Sequence, residues 1–333
     1  MKHRTIPVFV PELACPNQCI YCNQRIISGQ LQMPTNEEII NTIETHLSTF
    51  DDDTYVELGF FGGNFTGIEL EEQQRLFSLI KPYRDNGSIK AVRLSTRPDY
   101  IDENIIDFLL ENGVTTVELG VQSLDEDVLN TIQRGYTPQQ VMDAVGLIKG
   151  SGMQLGMQMM VGLPKDTPEK SLFTAQKIVE YGADNTRIYP TLVIQHTKLA
   201  DWYKQGIYSP LSLEQAVDWV KPILYHFEKN NVVVLRVGLH PTEGFISGTD
   251  YLAGPFHVAF KELVQTEIWY DIFLQANFDS SEGDIVIEVP SQQVNAAVGH
   301  HAKNKAMLSA RYNKKIKFIP NNNLPIYTFC QAK

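Results

Sequence analysis

The strongest constraint on this chain is an alternation. Six short apolar stretches, at residues 5–10, 54–61, 90–95, 116–122, 154–161 and 185–189, alternate with segments whose apolar residues recur at helical spacing. Near-continuous apolar runs suit strands buried on both faces, and strands alternating with helices build a parallel sheet with right-handed crossovers. The helical segments carry their own start signals. Thr35 with Glu38 three residues later forms a capping box ahead of Ile39, Ile40, Ile43 and Leu47, and further helices are predicted over 70–80, 101–110, 125–131, 138–149 and 168–181. Glycines and polar residues gather where the strands end, at Gly62-Gly63, Arg97, Gln122-Ser123 and Gly162. In barrel-like α/β sheets that end is the ligand-binding face. Six units where a closed barrel has eight predict an α/β fold of partial (β/α)6 barrel type, open on one side where a large substrate can enter.

Three of the four cysteines fall within the eight residues Cys15-Pro-Asn-Gln-Cys19-Ile-Tyr-Cys22, directly after the first strand. Spacings of three and two residues let one tight loop aim three thiolates at a common point, and soft thiolates select zinc, copper(I) or iron-sulfur clusters. A closed zinc site needs a fourth ligand, whereas a four-iron cluster accepts three cysteines and leaves one iron open. A zinc knuckle and three unrelated cysteines are the alternatives. Cys330, in Pro-Ile-Tyr-Thr-Phe-Cys near the C-terminus, reads as a buried or incidental thiol.

With the aromatic Tyr21 before its last cysteine, this loop resembles the cluster loop of radical S-adenosylmethionine enzymes. The resemblance implies that Cys15, Cys19 and Cys22 hold a [4Fe-4S] cluster whose open iron is chelated by the amino and carboxylate groups of S-adenosylmethionine. An electron donor such as flavodoxin or ferredoxin then drives cleavage of the sulfonium to a 5'-deoxyadenosyl radical. Gly62-Gly63-x-Phe65-Thr66-Gly67, Thr96-Arg97-Pro98-Asp99, Glu118-Leu119-Gly120-Val121-Gln122-Ser123, Arg134-Gly135, Val161-Gly162-Leu163-Pro164 and Tyr189-Pro190-Thr191-Leu192-Val193-Ile194 are similar, in order, to the Elp3-like branch. Its best known member makes carboxymethyl-type modifications on the wobble uridine of transfer RNA, using acetyl-CoA.

By that resemblance Tyr21, Gly62, Gly63, Thr66, Arg97, Gln122, Ser123 and Gln158 contact S-adenosylmethionine. Gly62-Gly63 take its amino group, Arg97 its carboxylate, and Gln122, Ser123 and Gln158 its nucleoside. Read without it, Arg97 at the end of a central strand is placed to clamp a carboxylate, with a surface cation as the alternative, and backbone groups could equally satisfy the two glutamine amides. Asn64 stands where the branch has a glutamate, the first two cysteines are closer together than in Elp3 proper, and an acetyltransferase domain has no room in this chain.

A composition of 43% hydrophobic and 20% charged residues is that of a soluble globular protein. No run reaches the roughly 18 apolar residues that would span a bilayer, so no membrane partner is expected. Pro7, Pro11 and Glu12 interrupt the N-terminal apolar stretch too early for a signal peptide, which predicts a cytoplasmic protein. The net charge of -11 conceals a basic tail, because residues 289–333 hold seven Lys and Arg and no acid. A β-α-turn-α-β pattern there resembles a minimal KH module, with Gly299-His300-His301-Ala302 in place of its G-x-x-G loop. Gly299, Lys303, Lys305 and Arg311 are the expected RNA contacts.

The expected organisation is a radical S-adenosylmethionine partial barrel over 1–237, a connecting and capping region over 238–280, and a small KH-like domain over 281–333. Within it a seventh buried strand at 232–237 seats Arg236 beside a loop with His240 and Glu243, suited to substrate anions or proton transfer, or else a plain polar rim. The segment 252–274 is expected to cap the barrel mouth. The function that follows is radical chemistry on a nucleotide of RNA, transfer RNA foremost. The rivals are the same machinery acting on a small metabolite or tetrapyrrole, and a non-catalytic iron-sulfur RNA-binding protein.

Overall fold

The computed structural model describes residues 2–11, 15, 18–29, 32–279 and 283–332. Glu12, Pro16 and Asn17 near the cysteines, and Lys333 of the tail, lie outside the described residues.

Strand β1 (His3–Val10) leads through the cysteine loop and α1 (Gln24–Ser28) to α2 (Asn36–Leu47). Then follow β2 (Tyr55–Gly62) with α3 (Leu70–Asp85), β3 (Ala91–Thr96) with α4 (Glu103–Glu111), β4 (Thr116–Gln122) with α5 (Glu126–Thr131) and α6 (Pro138–Gly150), and β5 (Gln154–Val161) with α7 (Pro168–Glu180). β6 (Asn185–Pro190) continues through β7 (Val193–Ile194), α8 (Lys198–Lys204) and α9 (Leu213–Lys229) to β8 (Val233–Val237). Seven of these strands pair in parallel in the order β1-β2-β3-β4-β5-β6-β8 and curl into a partial barrel.

The strand expected at 232–237 therefore joins as a seventh member. It is not buried on both faces: Val233 and Leu235 are 59% and 39% exposed while Val234 and Val237 are buried, the alternation of an edge strand with one face in water. Because β1 and β8 are the two ends of the order, the barrel stays open between them among the described residues.

Local sequence explains the frame. The Thr35–Glu38 capping box forms as expected, with the Thr35 Oγ1 accepting from the Glu38 N–H at 3.3 Å and the Glu38 carboxylate accepting from the Thr35 N–H at 2.7 Å. Thr137 with Gln140 and Ser212 with Gln215 repeat the device on α6 and α9, each cap contributing about 1 kcal/mol. Every residue of β3 and β4 is buried. Phe60, Phe65, Phe77 and Phe108 meet in sequence, tilted or edge-on, at centroid distances of 4.9, 5.4 and 5.7 Å, and Phe65 so pins the loop that follows Gly62-Gly63 to α3.

The remaining elements are α10 (Glu243–Ser247), β9 (Tyr251–Ala253, antiparallel to β7), α11 (Phe260–Gln275), β10 (Ile285–Pro290), α12 (Val294–Val298), α13 (Lys303–Tyr312), β11 (Ile316–Asn321) and β12 (Cys330–Gln331). β10 is central, parallel to β11 and antiparallel to β12. The β-α-turn-α-β order of the tail is as read from the sequence. The capping expectation for 252–274 is corrected: α11 packs against α9, α12 and α13, with Trp269 and Phe273 stacked at 5.1 Å and Phe273 meeting Phe318 and Phe329 at 5.6 Å. One core thus runs from the barrel into the C-terminal strands. Cys330 is exposed, 3.4 Å from a Glu288 carboxylate oxygen.

Candidate active site

A cavity of about 1030 Å³ opens at the C-terminal ends of the strands. Cys15, Cys19, Tyr21 and Cys22 line it on one side, and Gly62, Gly63, Thr96, Gln122 and Gln158 bring in the ends of β2 to β5. The cysteine loop is held from two directions. The Cys22 N–H donates to the Cys19 carbonyl at 3.0 Å, closing a turn, while the Ile20 N–H donates to the Ile132 carbonyl at 3.2 Å and the Leu199 N–H to the Ile20 carbonyl at 2.7 Å. Ile20 itself is fully buried. Beneath the loop the buried Arg134 donates from Nη1 to the Cys19 Sγ at 3.3 Å, from Nε to the Tyr136 hydroxyl at 2.8 Å and from Nη2 to the Gly120 carbonyl at 2.7 Å. A guanidinium fixed this way sets a positive charge against the Cys19 sulfur.

Gln122 carries the clearest mark of use. It ends β4 at a register shift with φ of 66°, in the left-handed region that non-glycine residues rarely enter. It is buried, lines the cavity, and its Oε1 has no hydrogen-bond partner among the described residues. An orphaned amide oxygen costs about 1–3 kcal/mol, which a ligand donor would recover. Gly62, with φ of 145°, approaches β1 so closely that a Cβ would lie 1.9 Å from the Val10 carbonyl oxygen, so only glycine closes the sheet there. Gln158 is half-buried, its Nε2 only at the limit of contact, 3.5 Å from both Ser95 Oγ and Glu118 Oε2.

Beneath the cavity floor lies a charged array that periodicity gave no reason to expect. Arg93 donates to Glu57 at 2.7 Å and to Glu118, and Arg187 donates to Glu118 at 3.0 and 3.2 Å. Burial alone would raise the Glu118 carboxyl, but Arg187 and Arg93 outweigh it and hold the group below its ordinary range. Arg187, Tyr189, Arg236 and His240 line the cavity on the β6 and β8 side. The polar character at strand ends was legible; Glu57 and Arg93 sit inside strands, where only inward facing across the curl tells them from surface charges.

Three expected cofactor contacts have other duties. Arg97 is fully buried and does not line the cavity; Nε and Nη2 bond to the Asp99 carboxylate at 2.9 and 2.8 Å, and Nη2 also to the Arg134 carbonyl at 2.7 Å. The carboxylate it clamps is its own neighbour's. Thr66 bonds through Oγ1 to Thr96 Oγ1 at 2.5 Å and to the Tyr100 carbonyl at 2.9 Å, knitting two loops. Ser123 Oγ accepts from the Asp125 N–H at 3.1 Å and so starts the turn into α5. Asn64, whose Oδ1 accepts from Thr96 Oγ1 at 2.7 Å and from the Arg97 N–H at 3.2 Å, secures the same corner.

In the tail, two of the expected RNA cations bind α11. Lys303 pairs with Glu267 and lies 4.8 Å over the Tyr270 ring. Arg311 Nη1 donates to the Phe273 and Leu274 carbonyls at 3.2 and 3.0 Å, satisfying the end of that helix. The loop is seated too, the His300 N–H donating to Thr266 Oγ1 at 2.8 Å, and a Cβ on Gly299 would meet the Asn304 nitrogen at 3.0 Å. These groups are taken because α11 exposes carbonyls and a carboxylate at that surface. Lys305 is exposed and has no ion pair among the described residues.

Residues 12–178 match the Radical SAM superfamily, and residues 183–270 match the Radical SAM C-terminal domain. The chain belongs to the radical SAM superfamily. This radical SAM enzyme is 28% identical over 242 residues to a tRNA uridine(34) acetyltransferase of Dehalococcoides mccartyi, covering 62% of this chain and 52% of that protein. It is 36% identical over 183 residues to the tRNA uridine(34) acetyltransferase of Methanocaldococcus jannaschii, covering 49% and 34%. The chain thus spans about half or less of the length of these relatives. Among solved structures it is similar in fold to the archaeal Elp3 of Methanocaldococcus infernus, with a TM-score of 0.59 and 24% identity over 80% of this chain and 62% of that one.

The cofactors of a radical SAM enzyme are a [4Fe-4S] cluster and S-adenosylmethionine, and the residues present fit them. Among the described residues no three His, Cys, Asp or Glu side chains gather tightly enough for a single metal ion. A four-iron cluster does not ask this, since each thiolate binds a different iron. All three cysteines border the cavity that Gln122, with its unsatisfied amide oxygen, also lines.

Proposed function

We propose that this radical SAM enzyme modifies a nucleotide of RNA, transfer RNA foremost, in the reducing cytoplasm, drawing its electron from a donor such as flavodoxin or ferredoxin. The observation that carries the reading is one cavity that joins the three cysteines, the glycine pair and the unsatisfied Gln122 to an open barrel side, in a chain whose relatives bear the name tRNA uridine(34) acetyltransferase. When bound, the cluster and S-adenosylmethionine supply a 5'-deoxyadenosyl radical. Cys15, Cys19 and Cys22 hold the cluster, with Tyr21 packed beside them. Gly62 and Gly63 offer backbone to the methionine end of the cofactor, and Gln122 and Gln158 offer amides to its nucleoside. Arg134 positions Cys19, and the buried Arg97–Asp99 pair positions Arg134. Residues 281–333 form the KH-like docking unit, with Lys305 and Lys315 as its accessible cations.

Three measurements test this together. Anaerobic reconstitution should give close to four iron per chain, and Cys19→Ala should lose it. Mass spectrometry of transfer RNA nucleosides from a deletion strain should show one modification missing. Filter retention of transfer RNA across a salt series should fall steeply with salt, and reversal of Lys305 and Lys315 to Glu should weaken it. Point reversals suit the fold better than removing 281–333, whose strands share the core with α11. An unchanged RNA nucleoside profile together with unchanged retention would move the substrate to a small metabolite.

A further inference from the structure

Inside the barrel three arginines meet two glutamates. Glu57 is used by Arg93, and Glu118 by Arg93 and Arg187. Arg236 stands next to Arg187 as its Cα partner across β6 and β8 and lines the same cavity, and its guanidinium is in no ion pair or hydrogen bond among the described residues. Three guanidiniums against two carboxylates leave one positive charge facing the cavity, and a half-buried cation lacking a counter-ion is unfavourable until an anion arrives. Burial and the Arg236 guanidinium together push His240, on the same wall, below its ordinary value.

The other edge of the opening has a different chemistry. Phe9 on β1 is 38% exposed, lines the cavity and lies 6.1 Å from Phe61, whose ring carries the Arg187 guanidinium at 5.3 Å. An aromatic face on one edge strand and an unpaired guanidinium on the other complement a nucleotide, which presents a flat base and a phosphate, better than a plain carboxylic acid. We propose that Arg236, with Arg187 beside it, receives the phosphate of the substrate nucleotide at the open side of the barrel. This rests on the RNA reading above and adds the subsite through which a nucleotide is held.

The test is calorimetric titration of the anaerobically purified full-length holoenzyme with uridine 5'-monophosphate, inorganic phosphate, uridine and malonate, for wild type, Arg236→Gln and Arg236→Lys. The monophosphate and phosphate should compete for one site and bind about tenfold or more weakly to Arg236→Gln, with Arg236→Lys between the two; uridine should not distinguish the variants. Thermal melting separates this from misfolding, because removing an uncompensated charge should leave the melting temperature equal or higher. Equal affinity of wild type and Arg236→Gln for the monophosphate overturns the proposal, as does a site that takes malonate through Arg236 but neither phosphate ligand. If transfer RNA is still retained and modified when Arg236→Gln keeps full affinity, the subsite fails and the RNA reading stands. If the monophosphate depends on Arg236 but no RNA is retained or altered, the subsite stands and the substrate is a free nucleotide.

Discussion

Arg97 and Asp99, two residues apart, form a two-pronged ion pair at 2.9 and 2.8 Å with the guanidinium wholly out of solvent. The pair holds the Arg134 carbonyl, and Arg134 in turn holds Cys19. Removing one partner strands a buried charge, so Asp99→Ala should destabilise the fold by roughly 3–5 kcal/mol. Urea unfolding checks this. A stability like wild type, with S-adenosylmethionine affinity lost in Arg97→Ala, would return Arg97 to the role of cofactor clamp.

Gln122 should trade stability against binding. Its orphaned oxygen and left-handed backbone both disfavour the ligand-free fold, so Gln122→Gly should unfold at equal or higher urea concentration than wild type. The same change should weaken S-adenosylmethionine by roughly 1–2 kcal/mol, read by calorimetry on the cluster-loaded protein. Loss of stability with unchanged binding would mark Gln122 as structural.

Glu118→Gln should cost roughly 3–5 kcal/mol, because Arg93 and Arg187 would keep their burial and lose their shared counter-ion. The carboxyl is held below its ordinary range when folded, so its contribution is present above that range and lost as pH falls through it and below. Wild type should lose stability on acidification in excess of the variant. Parallel stability profiles for the two proteins would refute this.

Asp166 works in the opposite sense. Burial pushes its carboxyl up to about 6 despite hydrogen bonds from Ser171, Gly162 and Thr167 at 2.7, 3.0 and 2.9 Å. The folded chain then binds the proton more tightly than the unfolded chain, so stability is greatest below the unfolded carboxylate value and falls as pH rises toward 6. A shift of that size corresponds to at most roughly 3 kcal/mol. Urea midpoints between pH 4 and 7 should fall more for wild type than for Asp166→Asn; equal slopes would contradict it.

The order of strands and helices, the capping boxes, the strand-end loops and the cysteine spacing are all readable along the chain. These follow from periodicity and from spacing within a few residues, which local chemistry controls. Cys15, Cys19, Cys22, Tyr21, Gly62, Gly63 and Gln122 lie at or beyond strand ends and Gln158 lies within β5, and all of them line one cavity. Which polar side chains are left for ligands depends on contacts that form only once the chain has folded. Arg97 has Asp99 two residues away, a partner visible in the sequence, yet only its burial shows that the pair turns away from the cavity. Lys303 and Arg311 looked like phosphate contacts until α11, about forty residues earlier in the chain, supplied Glu267 and the Phe273 and Leu274 carbonyls. Arg93, Glu118 and Arg187 could be recognised as one array only after the sheet had curled, and Arg236 as the cation left over. A charge finds its partner through space, and the distance along the chain does not encode it.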